Sequence, residues 1–265
     1  MTGTAYTPAL TGRYGFRQTA RMEWIKLRSL RSTAYALLLT VVGMIAMGVV
    51  TMANTKAPHG ADKVASFDPT NNVLAGVALG QLVIGVLGVL VMTGEYASGT
   101  IRATLAAAPD RRRALTAKAV VFGGLALLVG ELVAVVTFLA GTAALSPGVP
   151  APSLGEPGVL RAVLMAGAYL AMVGLMGLGI GAITRHTASA VGIFVGITFV
   201  LPALLAGTTG TTIARFFPTM IAGNSLAVTV PVDGMLTPWA GFVVLCLYTA
   251  AILAVGGRLL VRRDA

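Results

Sequence analysis

Six long apolar stretches divide this chain of 265 residues, and its cationic residues collect in every second gap between them. The stretches run from Ala34 to Ala53, Val73 to Thr93, Ala119 to Leu145, Ala162 to Thr184, Ala188 to Ala206 and Ala240 to Gly257. Each is near the ~20 residues that a helix needs to cross ~30 Å of hydrocarbon. The expectation is an all-α membrane protein of six transmembrane helices.

Charge sorting gives the orientation. Fifteen of the 19 Lys and Arg lie on one side: six before the first span (Arg13, Arg17, Arg21, Lys26, Arg28, Arg31), five between spans two and three (Arg102, Arg111, Arg112, Arg113, Lys118), Arg185, and three after span six (Arg258, Arg262, Arg263). The other side holds Lys56, Lys63, Arg161 and Arg215. Positive charge is retained on the cytoplasmic side of short loops, so both termini are expected there. A chain with 56% hydrophobic and 11% charged residues is too apolar for an ordinary soluble domain. The net charge of +10 is largely this topology signal. It favours anionic lipid head groups and calls for no nucleic acid.

Three pieces make up the domain organisation: a cytoplasmic segment over residues 1–33, a six-span transmembrane domain over 34–257, and a cytoplasmic tail over 258–265. Tyr14 to Arg31 reads as an interfacial amphipathic helix, because Arg13, Arg17, Arg21, Arg28 and Arg31 share an arc of about 80° while Phe16, Ala20, Leu27 and Leu30 group elsewhere. Glu23 and Lys26 stand i, i+3 and can pair. The GxxxG spacings Gly76/Gly80, Gly177/Gly181 and Gly192/Gly196 suggest close helix packing within the bundle. The outer loop from Gly207 to Trp239 is unusually apolar, with Ile213, Phe216, Phe217, Met220, Ile221, Leu226, Val228 and Val230. Pro202, Pro218, Pro231 and Pro238 cut it into short pieces. It is expected to re-enter the membrane or pack as short helices, with Phe216, Phe217 and Pro218 as an extracellular lid.

Signs of catalysis are missing. No GxxxxGK[ST] occurs, and His59 and His186 fall on opposite sides of the membrane, which speaks against a metal or His-based site within one chain. Cys246, the single cysteine, permits no internal disulfide. Glu131 is the one ionisable residue deep in a span. Its placement costs roughly 2.5–3.5 kcal/mol unless it is neutral, paired or near water. It reads either as a substrate or proton contact facing a cavity, or as a hydrogen-bonded packing residue.

The most specific pattern follows span two: Gly94-Glu95-Tyr96-Ala97-Ser98-Gly99-Thr100-Ile101-Arg102, then Thr104-Leu105, Ala108-Pro109-Asp110-Arg111-Arg112-Arg113, and Lys118. Glycines 94 and 99 allow a sharp turn, and the residues between can form a short helix. This run resembles the cytoplasmic loop of ABC-2 type transporter permeases, especially those of actinobacteria. Glu23-Trp24-x-Lys26-Leu27-Arg28-Ser29-x-Arg31-Ser32 is similar to their N-terminal segment, and Phe217-Pro218 with Ala222-Gly223 more loosely to their last outer loop. The resemblance implies an ABC-2 (type V exporter-like) fold in a bacterial plasma membrane. It also implies a half-transporter in which two permease subunits, alike or different, join two copies of a separate ATPase. This chain would then hold no cofactor, and ATP and Mg would be bound by the partner. By the same resemblance Glu95, Tyr96, Gly99, Thr100 and Arg102 belong to a coupling helix against the ATPase, and Glu23, Trp24, Lys26 and Arg28 to the interfacial helix.

An ATP-driven exporter of amphipathic or hydrophobic cargo is thus the leading expectation, because the spans offer few polar groups to ligand a small ion. The alternatives are a transporter or channel that needs no ATPase, and a non-transport immunity or sensor protein.

Overall fold

The computed structural model describes residues 15–56, 67–107, 110–146, 148–228 and 234–263. Arg13, His59, Lys63, Pro109, Val230 and Pro231, singled out above, lie outside these. Among the described residues every regular element is helical. Six helices are long and apolar enough to cross a membrane: α2 (Arg31–Asn54), α3 (Pro69–Ala97), α5 (Arg111–Ala143), α6 (Val159–Thr184), α7 (Thr187–Thr209) and α10 (Pro238–Arg262). The shorter ones are α1 (Phe16–Ser29), α4 (Ile101–Ala107), α8 (Thr211–Ala214) and α9 (Pro218–Ser225).

The helices outrun the apolar windows because polar caps lie outside them. Asp68 accepts from the Asn71 backbone N–H at 3.0 Å ahead of Pro69, a good first-turn residue, so α3 starts four residues before Val73. Asp110 accepts from the Arg113 N–H at 3.1 Å and starts α5 a full two turns before Ala119. That earlier start carries Lys118 inside a helix rather than at its edge.

Helix α6 is the centre. Its most apolar window is 78% buried, against 22% for α2, α7 and α10, and it packs on α3, α5 and α10. Glycine allows these contacts. A Cβ at Gly88 would lie 2.0 Å from the Gly174 carbonyl oxygen, and one at Gly177 would lie 2.2 Å from that of Gly85. The Gly76/Gly80 pair meets Met44 of α2, and Gly177/Gly181 meets α3, as the spacing predicts. Gly192/Gly196 does not: a Cβ at either would meet nothing within 4 Å. That face of α7 is open because α3 and α6 are packed by its opposite side through Ala190 and Phe194.

Helix α7 is interrupted. Residues Gly196–Val200 form a wide π turn just before Pro202, which brings no N–H to the Thr198 carbonyl. The Thr219 hydroxyl of α9 donates to that carbonyl instead. The apolar outer loop therefore does fold into short helices, and it is pinned at several points. Arg161 donates to the carbonyls of Ser225 and Ala227 at 2.8 and 2.9 Å, and the Val228 N–H donates to Asp68 at 2.6 Å.

Candidate functional site: a buried ion cluster at the basic end

Four charged residues from three helices meet at the arginine-rich end of the bundle. Helix α1 brings Glu23 and Lys26, the last turn of α3 brings Glu95, and the second turn of α5 brings Lys118. The Lys118 ammonium donates to Glu23 Oε2 and, at 2.6 Å, to Glu95 Oε1. Lys26 donates to Glu23 at 3.0 Å, to Glu95 at 2.9 Å and to the Thr104 hydroxyl of α4 at 2.8 Å. Two acids and two ammonium groups balance formally. The side chains of Glu23 and Lys118 are only 2% and 5% exposed, so the charges are nearly stripped of water. Burial works against the charge of Lys26, yet the hydrogen bond to Glu95 and the carboxylates of Glu23 and Glu95 outweigh it and raise its pKa above lysine's ordinary value.

The cluster decides how α1 sits. The sequence groups Phe16, Ala20, Leu27 and Leu30 on one arc of an interfacial helix. In the structure Thr19, Glu23 and Leu27 form the buried line, whereas Phe16 and Leu30 are exposed. Glu23, within this buried line, meets the Lys118 ammonium of the facing helix. Trp24 and Arg28 lie on the exposed side. Leu30, with extended backbone between α1 and α2, makes a one-residue elbow where α1 turns into the first span.

The turn after α3 is narrower than expected. Gly94 stays within the helix, which runs to Ala97, and Gly99 alone takes a left-handed conformation, at φ +69°. Ser98 donates to the Gly94 carbonyl and pairs with the Thr100 hydroxyl at 2.9 Å, which braces the turn. Helix α4 then runs from Ile101, with Ile101 and Thr104 buried and Arg102 outward. Glu95 is turned inward to the lysines. Tyr96, beside it, carries the Arg185 guanidinium 5.3 Å from its ring centre. Ser98, Gly99, Thr100 and Arg102 are exposed at this corner, flanked by Ala97 and Ala103.

Residues 19–201 match the family model described as ABC-2 family transporter protein. This covers all four residues of the cluster, four of the six spans whole and the fifth as far as Leu201. The chain belongs to the ABC-2 transporter family. No curated protein matches it. It is accordingly a multi-pass membrane permease of an ABC transporter system, which works with a partner ATPase.

Elsewhere in the permease, Glu131 sits halfway along α5 against Gly167 of α6, where a Cβ would come within 2.5 Å of the Glu131 carboxyl carbon. Its Oε2 is buried with no hydrogen-bond partner among the described residues. It edges a groove of about 520 Å³ with Arg161, Leu164, Trp239 and Phe242. Phe216, Phe217 and Pro218 line a separate, almost wholly apolar groove of about 370 Å³ with Met176, Tyr248 and Ile252. Glu131 and these three are thus far from the ion cluster. Sequence reading passed over the Tyr169 hydroxyl, which donates to Gln81 at the core of the bundle. Both are 1% exposed. A glutamine inside an apolar span was the available signal.

Proposed function

We propose that this permease is an exporter subunit in which the corner formed by α1, the Gly99 turn and α4 receives the stroke of a separate ATPase. Both termini and this corner lie on the cytoplasmic side of a bacterial plasma membrane. The observation that carries the reading is the buried cluster of Glu23, Lys26, Glu95 and Lys118. It ties the two cytoplasmic elements, α1 and α4, to the ends of α3 and α5. A push on the exposed Ser98 to Arg102 surface thus reaches two membrane helices through charges rather than through a loose loop.

In this reading the chain has no catalytic residues of its own, and ATP and Mg belong to the partner. Two permease subunits and two ATPase copies form the working unit. The groove surfaces favour an amphipathic or hydrophobic cargo. Glu131 is its polar contact, and Phe216, Phe217 and Pro218 cover the external mouth.

The test is reconstitution of the permease with its partner ATPase. ATP turnover should depend on the permease and fall several-fold with Arg102→Glu, at unchanged membrane insertion. Glu131→Gln should keep turnover while altering which substrates stimulate it. Turnover indifferent to the permease would sink the coupling role.

A further inference from the structure

Helices α5 and α10 both lean on α6, and a furrow is left between them on the membrane-facing side. At the basic end it is a groove of about 440 Å³ lined by Arg112, Leu115, Thr116, Leu253, Gly257 and Arg258. Thr116 and Ala119 are shared with the next groove, of about 450 Å³, which continues past Val120, Gly123, Gly124 and Leu127 over a floor of Ala171 and Met172. The run from Arg112 to Leu127 rises about 22 Å along α5, more than the half-thickness of a ~30 Å hydrocarbon core.

Charge separates the mouth of this furrow from its body. Arg111 is engaged with the carbonyls of Leu260 and Arg263, and Arg263 with that of Ile183. The side chains of Arg112 and Arg258 are exposed and have no hydrogen-bond or ion-pair partner among the described residues. No acidic residue is among those lining the mouth. Past Thr116 the lining is apolar, and Gly124 leaves its centre open, since a Cβ there would touch nothing within 4 Å.

We propose that the furrow seats one anionic phospholipid of the adjoining leaflet, its phosphate between Arg112 and Arg258 and an acyl chain lying over Gly123 and Gly124. Two unpaired guanidinium groups at the mouth suit a phosphodiester, and the apolar channel beneath them suits its tail. The site is separate from the ion cluster and does not depend on the ATPase.

Native mass spectrometry of the purified full chain provides the test, with phosphatidylglycerol and phosphatidylcholine of identical chains, and with inorganic phosphate alone. The wild type should hold one phosphatidylglycerol at about ten-fold lower concentration than phosphatidylcholine. The double variant Arg112→Gln/Arg258→Gln should lose that preference, while the charge-matched Arg17→Gln/Arg21→Gln should keep it. Gly124→Phe, which fills open space, should weaken long-chain phosphatidylglycerol and spare a six-carbon analogue. Equal loss in both double variants would reduce the effect to general basic charge. Binding of inorganic phosphate as tight as lipid, or indifference to Gly124→Phe, would also overturn the proposal.

Discussion

Glu23 and Lys118 are 95 residues apart, yet each is the other's counter-charge in a pocket with almost no water. Removing one member of such a network leaves an uncompensated buried charge, at a cost of about 3–5 kcal/mol. Lys118→Met should therefore lower the melting temperature of the purified permease markedly. Adding Glu95→Gln should return part of the loss, because the second change removes the charge that the first orphaned. Strictly additive losses would show that the four groups are not one unit. The raised pKa of Lys26 gives the pH dependence: its stabilising contribution is complete below lysine's ordinary value and disappears only as pH climbs through the higher value reached in the fold. Lys26 therefore keeps its charge across the neutral range. In the sequence, the i, i+3 pair of Glu23 and Lys26 was visible, as were Glu95 and Lys118. Their meeting was not, since nothing in spacing relates α1 to the end of one span and the start of another.

At the scale of elements, the six spans were legible because hydrophobic length is a local property, whereas the short helix expected between Gly94 and Gly99 begins only at Ile101, because α3 itself continues to Ala97. The acid on the inner line of α1 was not legible, because the Lys118 that meets Glu23 lies on a helix distant in sequence. The π turn in α7 was hidden for a similar reason: Pro202 announced a weakness, but the hydroxyl that satisfies it comes from α9. Helix α4 hangs on a single left-handed residue. Gly99→Val forces a β-branched side chain into that region, at a cost of about 1–3 kcal/mol, and should swing α4 away from Lys26. Gly99→Asn tolerates the same backbone. Co-purification of the ATPase with the permease should fall with valine and survive with asparagine. Equal retention by both would make the turn a passive connector.

For the molecule as a whole, the uneven arginine distribution requires one arrangement in the membrane. Reporters fused after Arg113, Arg185 and Ala265 should read cytoplasmic, and those placed within 56–68 or 148–156 should read external. A cytoplasmic signal from either of the latter segments would undo the six-span topology. One further consequence follows from the glycine contacts between α3 and α6. Where Gly88 faces the Gly174 carbonyl and Gly177 that of Gly85, the two backbones are so near that a shift bringing a larger residue to either glycine's place would drive its Cβ into a carbonyl. The two helices cannot slide or roll past each other in small steps, so they behave like meshed racks with a single tooth position. Glu95 sits at the basic end of one rack, and Arg161, which grips the outer short helices, sits at the far end of the other. A displacement imposed at one face of the membrane is delivered undivided at the other.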